Sequence, residues 1–483
     1  MSKTQILYKD VAPGADADAA FAASGAAGFS DLAALPFGLT DSKPIITLEP
    51  DNWLLDGTRV LREHQPVAFW SSAISGANGT FASDPSITVT FSEQFSSVGI
   101  SLAFDTATGD YCDLVNMKWY QQSTLKAEQD FSPDGVRYFC NRAVTAYDKL
   151  VITLKRTAKP YRHAKLEKIL FGIYRYFGMT ELRRASIVNQ MDLLALELPV
   201  STARWTVDSR EDIDFMFQLK QPVEVQNDSG LIGVYYIGKH ARHAKSVYDV
   251  SCYDAFGVLA ESKIAGGVYR DKSAAVLLQE IVGSDFSLVF EVADTNLSGA
   301  ILPCTRREAM HQVLFAWGVC ASTDGCEGIR IFALPTQETA VHENRAFPGA
   351  SAEVSAVVTK VSVTSHSYTQ DSSGGVTIGG VKYKDTTAIH TVTNPNATAT
   401  DKENAVAVTG ATLISPTIGQ AAAQRVYDYY ARRSTNRARV VWQGERLGDR
   451  LGLPNTWEGG SVGNLTKMEI TLSNTVLAAV ETR

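Results

Sequence analysis

Two histidines, His240 and His243, stand three residues apart in the segment KHARHAK and are candidates for metal chemistry. A zinc protease of the H-E-x-x-H type carries its two histidines on one helix, together with a glutamate that acts as the base. This segment is a polar connection that lacks such a glutamate. We therefore expect a solvated basic loop here and no metal site.

Two pairs of carboxylates, Asp110 with Asp113 and Glu211 with Asp214, have the residue types that glycosidases use as acid and base. Neither pair has a supporting motif, so solvated faces are the better interpretation. The sequence also lacks G-x-S-x-G, a P-loop and a G-x-G-x-x-G that follows a strand. We predict that the protein is not an enzyme and uses neither a cofactor nor a metal ion.

Four aromatic residues in a β-rich segment, Trp70, Trp119, Tyr120 and Tyr138, could stack on a sugar ring. Trp70, Trp119 and Tyr120 are the main candidates for contact with a glycan. Successive residues of a strand point to opposite faces, so Trp119 and Tyr120 cannot both lie in one site. The alternative, which we favour, is that these rings belong to the core, because buried aromatic residues dominate small β cores.

The six cysteines are scattered, without C-x-x-C or zinc-finger spacing, which predicts reduced thiols in apolar surroundings. Only Cys320 and Cys326 are close in sequence, and they could face each other across a hairpin. The spacing leaves open whether these two pair.

Length and composition limit the architecture that must position these residues. The chain has 483 residues, more than one core usually supports, which predicts three or four domains. A net charge of −7 argues against bulk binding of nucleic acid or of anionic membranes. The N-terminus lacks the apolar run of a signal peptide and no stretch could span a bilayer, which predicts that the protein starts in a cytoplasm.

The first third of the chain divides by composition into two parts. Residues 12 to 36 are rich in Ala, Gly, Asp and Ser, which predicts a linker or an arm that lies on another surface. From Ile45 to about Phe171, short β-branched runs alternate with Gly, Asn and Asp turns. This spacing predicts a β-sandwich.

Residues 217 to 259 contain three apolar and β-branched runs separated by turn residues. They predict a meander of three antiparallel strands that curls into a small barrel. The other predicted elements are placed relative to this meander: an α/β segment comes after it, and a second β-rich part comes after the α/β segment.

Three helices are predicted from their caps and apolar faces. One follows Ser273 and stops at Gly283, and a second begins at the capping box of Thr305 and Glu308. In the β-rich part after residue 350, a third is predicted over residues 417–433, with Thr417 as its cap.

The order of these elements resembles that of phage tail hub proteins, the trimeric rings at the end of the tail tube. The shared pattern includes a Pro-Val-Glu-Val strand at residues 222–225, a helix with Arg-Glu-Ala at residues 307–309, and a Met-Glu-Ile-Thr-Leu strand at residues 468–472. The resemblance covers the chain from Tyr174 to the C-terminus. The preceding β-rich segment is similar to galactose-binding-like jelly rolls of the discoidin type.

The predicted fold class is mainly β with an α/β segment, in several domains. These are an N-terminal arm or linker (1–44), a jelly-roll sandwich (45–173), a first hub β-barrel (174–262), an α/β segment (263–350) and a second hub β-barrel with the helix 417–433 (351–483).

The resemblance implies a structural hub of a phage tail tip or baseplate, which joins the tail tube to the tip and surrounds the channel. It implies a homotrimer at the virion tail tip, assembled in the bacterial host cytoplasm. Its partners would be the tail tube, distal tail proteins, and tape measure or tip and fibre proteins, without sequence-specific nucleic acid or a membrane segment. Two alternatives stay open: a tail protein that recognises a host glycan through the jelly roll, and a cell-wall hydrolase.

Overall fold

The computed structural model describes residues 4–39, 44–52, 56–58, 61, 66–210, 215–228, 230–398, 402–455, 460–473 and 475–483. The chain forms two compact units that are discontinuous in sequence. The N-terminal unit comprises Tyr8–Arg175 and Glu211–Gln221, and the C-terminal unit comprises Met1–Leu7, Tyr176–Arg210 and Pro222–Arg483. Among the described helices, none is long and apolar enough to cross a membrane.

The first ten strands and one short helix lie in the first 178 residues. They are β1 (Gln5–Val11), α1 (Ala15–Asp18), β2 (Ala20–Ser24), β3 (Phe69–Ile74), β4 (Ser86–Ala103), β5 (Cys112–Gln121), β6 (Thr124–Phe131), β7 (Arg137–Thr157), β8 (His163–Leu166), β9 (Lys168–Leu170) and β10 (Gly172–Gly178).

An antiparallel sheet with the strand order β2-β4-β7-β5-β6, with β9 also paired to β4, forms the main layer of the N-terminal unit. Strands β3 and β8 form a separate antiparallel pair. Alternate side chains of the long strands are fully buried, as in Val89 of β4, Met117 and Trp119 of β5, and Ile152 of β7. This period of two is what a sheet with one face on the core requires.

Residues 12 to 36, for which we predicted a linker or an arm, are part of the N-terminal unit. Strand β2 pairs with β4 from Ala20 opposite Thr90 to Ser24 opposite Ser86. Leu35 is fully buried, and its carbonyl accepts a hydrogen bond from the Ile169 amide at 2.8 Å. The structure differs from the prediction because a segment of mostly small residues can still pair as a strand of a sheet, and a single large residue of that segment, Leu35, can be buried in the core.

The C-terminal unit contains the other strands and helices. They are β11 (Leu182–Gln190), β12 (Thr202–Asp208), β13 (Pro222–Asn227), β14 (Gly230–Arg242), β15 (Val247–Tyr253), α2 (Ala255–Leu259), β16 (Lys263–Ile264), β17 (Gly267–Ser273), α3 (Ala274–Val282), β18 (Leu288–Glu291), β19 (Asn296–Ile301), β20 (Cys304–Thr305), α4 (Arg306–Trp317), β21 (Cys320–Ser322), β22 (Ile329–Phe332), β23 (Glu338–Ala340), β24 (Ala346–Val354), β25 (Lys360–Gln370), β26 (Val376–Ile378), β27 (Val381–Thr393), β28 (Ala405–Val408), α5 (Gly419–Ala431), β29 (Ser434–Val441), β30 (Arg450–Leu453), β31 (Ser461–Thr471) and β32 (Leu477–Thr482).

One large sheet of the C-terminal unit contains strands from both predicted barrels, in the order β13-β14-β15-β12-β11-β31-β32-β29-β24. The meander β13-β14-β15 predicted from the sequence is confirmed. The pairing of β11 with β31 joins the strands of the two predicted barrels in this sheet. Ile187 lies opposite Ile470 at this seam, and both are only 1% exposed, so burial of apolar side chains fixes the register.

A core cluster of the C-terminal unit extends in sequence from Leu194 to Val426 and includes buried residues of α2, α3, α4 and α5 and of the strands beside them. The Ser273 hydroxyl accepts from the Val276 amide at the start of α3, and Gly283 ends that helix with a φ of 66°. The capping box of Thr305 and Glu308 at the start of α4 is present. Both predicted caps are confirmed, and so is the predicted fold class, mainly β with an α/β segment.

Helix α5 differs at its ends from the predicted helix at residues 417–433. It runs from Gly419 to Ala431, and no side chain caps its start. The Thr417 hydroxyl lies 2.7 Å from the Ser415 hydroxyl. The predicted capping box therefore does not form.

We expect Thr305→Ala to destabilise the C-terminal unit by about 1 kcal/mol, since the variant loses a capping hydroxyl. Thr417→Ala is the matched control, because this threonine stands at a similar sequence motif but caps no helix. Its effect should stay within about 0.5 kcal/mol. Urea denaturation of both full-length variants measures the difference, and equal effects would contradict the assignment of the two caps.

Candidate functional site

A buried cluster of charged side chains lies in the N-terminal unit and is centred on Lys165. Its ammonium nitrogen lies 2.9 Å from a carboxylate oxygen of Glu49 and 3.2 Å from oxygens of Asp105 and Asp110. The side chains of Lys165, Glu49 and Asp105 are at most 2% exposed. The same ammonium lies 4.9 Å from the centre of the Trp70 ring, a cation–π distance.

Two further cations meet Asp110 and complete the cluster. The Lys159 ammonium lies 2.9 Å from Asp110 Oδ1, and the Arg162 guanidinium lies 3.5 Å from the same atom. Burial raises the pKa of Asp110, but the hydrogen bond from Lys159 and the three nearby cations outweigh it and hold that pKa below its usual value. Three carboxylates and three cations therefore balance, and the cluster is neutral overall.

Three connections, residues 75–80, 105–111 and 157–162, surround this cluster, and we call them the loop cluster. The backbone joins them: the Ser75 amide donates to the Arg162 carbonyl, and the Ala158 amide donates to the Tyr111 carbonyl, both at 2.9 Å. The Thr157 amide also donates to the Gly79 carbonyl at 2.9 Å. The loop cluster is thus one connected surface and not three independent loops.

The three predicted glycan contacts are not brought together. Trp70 is 1% exposed and Trp119 is fully buried, so neither ring offers a face to a sugar. Tyr120 is half-buried, with the Lys149 ammonium 5.2 Å from its ring centre. The two tryptophans are core residues, as the alternative interpretation proposed.

The histidine and carboxylate pairs singled out in the sequence form no reactive arrangement where they are described. His240 lies in strand β14, and the exposed His243 ring lies 2.7 Å from Asp249. Asp113 pairs with Arg156 at 2.8 Å. Glu211 and Asp214 lie outside the described residues, and within the described part of the chain no His, Cys, Asp and Glu side chains group as metal ligands.

All six cysteines are free thiols, so Cys320 and Cys326 do not pair. Burial raises the pKa of the Cys320 thiol to about 12. A thiol that is both buried and protonated is a poor nucleophile. The prediction of reduced cysteines in apolar surroundings agrees with this placement.

Two polar pairs on the neighbouring strands β25 and β27 have geometries that catalytic sites use. Ser365 Oγ lies 2.9 Å from a ring nitrogen of His390, and a ring nitrogen of His366 lies 2.8 Å from Asp385. Ser365 is fully buried, and its hydroxyl also donates to the Ala388 carbonyl. A buried hydroxyl with these partners has a structural role. Sequence analysis missed both pairs because their members are 25 and 19 positions apart, and only strand pairing brings them together.

A cleft of about 700 Å³ in the C-terminal unit borders the start of α4. Its lining includes Lys263, Cys304, Glu308 and His311. Glu308 serves the helix cap, and burial lowers the pKa of His311 and raises that of Cys304. Both directions disfavour the thiolate–imidazolium pair that activates a catalytic cysteine.

The C-terminal unit also buries Asp254, a carboxyl that titrates at an unusual pH. It is fully buried and accepts hydrogen bonds from the Ser201 amide at 3.1 Å and the Thr323 hydroxyl at 3.0 Å. Burial raises the pKa of Asp254 to about 6, although these hydrogen bonds oppose the rise. The folded state therefore binds a proton more tightly than the unfolded chain does.

We expect Asp254 to make the C-terminal unit less stable as the pH rises from 4 to 7. A carboxyl whose folded pKa is raised contributes stability below its unfolded pKa, near 3.8, and loses it as the pH passes about 6. The loss should approach about 3 kcal/mol. It should appear as a pH-dependent difference between the wild type and Asp254→Asn in urea denaturation.

Asp249→Asn supplies a control of opposite sign for this experiment. The hydrogen bond from Thr206 holds the pKa of the half-exposed Asp249 below its usual value of 3.8, so its contribution is lost only as the pH falls below that value. The stability difference between the wild type and Asp249→Asn should therefore stay nearly constant between pH 4 and 7. A wild-type advantage over Asp254→Asn that stays constant between pH 4 and 7 would show that Asp254 does not titrate in this range.

Neither a family model nor a curated protein matches this chain. It is similar in structure to a tail protein from Neisseria meningitidis, with a TM-score of 0.45 and 12% identity over 64% of this chain and 93% of that one. It is also similar to a prophage tail protein from Shewanella oneidensis, with a TM-score of 0.44 and 10% identity over 64% of this chain and 95% of that one. A prophage tail protein from Listeria monocytogenes has a TM-score of 0.40 and 10% identity over 63% of this chain and 91% of that one.

All three of these proteins are tail proteins. The resemblance to phage tail proteins predicted from the sequence is therefore confirmed as a similarity of structure. At such identities and TM-scores the likeness is one of coarse fold, and no partner, position or activity follows from it. The jelly-roll identity of the N-terminal unit stays a prediction.

Proposed function

We propose that this chain is a structural protein of a phage tail or baseplate, and that it acts there as the hub. As the hub, it forms a ring that joins the tail tube to the tip and surrounds the channel. Its partners would be the tail tube, distal tail proteins, and tape measure or tip and fibre proteins. Assembly would take place in the bacterial host cytoplasm, and the protein would end in the virion tail tip.

The large sheet of the C-terminal unit is the observation that carries this proposal. A subunit of a closed ring must present two different surfaces at a fixed angle, one to each neighbour. Here the strand groups β11–β15 and β29–β32 are joined by five residue pairs between β11 and β31. A continuous hydrogen-bonded sheet holds two such groups rigidly. The element order that resembles hub proteins covers the same part of the chain.

We further propose that the protein is not an enzyme. Ser365 is fully buried, and the described carboxylates singled out in the sequence, Asp110 and Asp113, are engaged in ion pairs. Incubation with bacterial cell walls and a panel of glycosides tests this proposal. Turnover that one carboxylate substitution abolishes would overturn it.

The hub proposal predicts a trimer in solution or in the particle, because three copies with two similar groups of strands each give a pseudo-sixfold ring. Light scattering on the purified full-length chain should give about three times the mass of 52.4 kDa of one chain. Chemical cross-linking at several concentrations is the control for non-specific association. A particle that contains this chain as a stable monomer, or as a true sixfold ring, would contradict the proposal.

A further inference from the structure

The ammonium of Lys165 and the carboxylate of Asp105 form an ion pair that is shielded from water. The two side chains are 1% and 0% exposed, and Lys165 Nζ lies 3.2 Å from Asp105 Oδ2. The Trp70 ring, itself 1% exposed, contacts the same ammonium. In water, the solvation of the separate ions prevents an amine and a carboxylate from condensing to an amide. Burial removes that solvation, so this pair is placed where condensation becomes feasible.

Backbone amides point at one oxygen of the Asp105 carboxylate. Oδ1 accepts hydrogen bonds from the Ala107 amide at 3.1 Å and from the Thr108 amide at 3.2 Å. The other oxygen, Oδ2, accepts from the Thr108 hydroxyl at 2.5 Å and faces Lys165. Two fixed N–H donors at one oxygen are the arrangement that stabilises the oxyanion of a tetrahedral intermediate. Attack on Asp105 Cγ would therefore place the negative charge on Oδ1 and leave Oδ2 as the departing oxygen.

Glu49 has the position of a proton relay for this attack. Its Oε2 lies 2.9 Å from Lys165 Nζ, and the oxygens of Asp105 and Asp110 lie 3.2 Å from it. The His163 amide donates to Glu49 Oε1 at 2.9 Å, which fixes the orientation of the carboxylate. A carboxylate held at hydrogen-bond distance from the proton that it takes meets the requirement for a general base. Asp110 is less suited to react, because two other cations bind its Oδ1 and hold it ionised.

We propose that Lys165 and Asp105 form an intramolecular isopeptide bond, with Glu49 as the proton relay. The bond from Nζ to Cγ forms, and the bond from Cγ to Oδ2 breaks. Of the three ammonium protons, one stays on the amide nitrogen and two leave with Oδ2 as water. The two opposite charges cancel, and nothing is oxidised or reduced. The fixed contact between the two groups makes the step effectively unimolecular.

The bond would join strand β8, which contains Lys165, to the connection that follows β4. The two residues are 60 positions apart, so strands β5, β6 and β7 would lie inside one covalent loop. A cross-link of this kind limits how far the unfolded chain can separate, as a disulfide does. The step occurs once within the chain and needs no external substrate. It therefore depends neither on the hub proposal nor on the proposal that the protein is not an enzyme.

Mass spectrometry of the denatured full-length chain tests this inference. The wild-type mass should be lower than that of the linear sequence by one water molecule, whereas Lys165→Arg and Asp105→Ala should have the linear mass. Proteolysis and fragmentation should recover one branched peptide that contains both Lys165 and Asp105. A wild-type chain with the full linear mass would overturn the proposal, whether or not the variants fold. A water loss within an unbranched peptide, such as a succinimide at Asp134-Gly135, would also overturn it.

Two further variants test the assigned roles. Glu49→Gln keeps the shape of the side chain but cannot take the proton, so it should slow cross-linking about 100-fold or more in samples taken at intervals after cell-free synthesis. Lys155→Arg is the matched control, because Lys155 lies 2.9 Å from Asp130 but these side chains are 33% and 54% exposed. It should lose water as the wild type does. Cross-linking of Glu49→Gln at the wild-type rate would overturn the role of Glu49, and loss of the cross-link in Lys155→Arg would overturn the assignment to Lys165.

Discussion

Replacement of Lys165 by alanine is expected to destabilise the N-terminal unit by about 3–5 kcal/mol, the cost of leaving buried charges without their partner. The ammonium touches three carboxylates, and two of them, in Glu49 and Asp105, are at most 2% exposed. Without Lys165 these carboxylates repel one another in surroundings that solvent screens poorly. Thermal and urea denaturation of the full-length variant measure the loss.

Lys118→Ala is the matched control for the Lys165 variant. Lys118 also pairs with a carboxylate, that of Glu128 at 3.1 Å, but both side chains are more than a third exposed. Exposed pairs of this kind contribute about 0–1 kcal/mol. Equal effects of the two lysine substitutions would show that the buried cluster is not held by its central charge.

Leu35→Ala is expected to destabilise the same unit by about 2–5 kcal/mol, the usual cost of truncating a fully buried leucine. Leu35 is 0% exposed, within a segment whose composition alone predicts a linker. Truncation of a leucine in a solvated linker would leave the free energy of unfolding unchanged. The size of the loss therefore shows whether Leu35 is a linker residue or a core residue. Urea denaturation, followed by a signal from the tryptophans of the N-terminal unit, measures it.

Phe37→Ala is the control for Leu35→Ala, since Phe37 is only two residues away and is 61% exposed. Its effect should lie within about 0.5 kcal/mol. If both variants are as stable as the wild type, Leu35 does not contribute to the core.

The features that could be predicted from the sequence are those that depend on a few neighbouring residues. The cap of Thr305 and Glu308 involves atoms three residues apart, and the alternation in β15 directly reflects which face is buried. The capping box expected at Thr417 shows the limit of such local reasoning. Its hydroxyl has a competing partner two residues away in Ser415, and a motif cannot show which partner is chosen.

The candidate site could not be predicted, because its parts are distant in sequence. Glu49 and Lys165 are more than 100 residues apart, and charged residues are usually found on the surface, so nothing in the sequence indicates that this pair is buried. The aromatic candidates were sought by residue type, which does not distinguish a core tryptophan from an exposed tyrosine. Tyr120 differs from Trp70 and Trp119 in its exposure, which is a property of the folded chain.

The boundary of the N-terminal unit has a consequence for synthesis on the ribosome. A later segment of the chain packs against the residues at the start of this unit. The centres of the Tyr8 and Phe217 rings lie 4.6 Å apart, and the Tyr8 hydroxyl donates to the side-chain oxygen of Gln221 at 2.7 Å. When Arg175 leaves the ribosome the unit still lacks this segment, and translation needs on the order of a few seconds more to deliver it. Strands β11 and β12 emerge during that delay. The nascent chain must therefore keep the surface around Tyr8 open while part of the next unit is already outside, a period in which a chaperone could bind there.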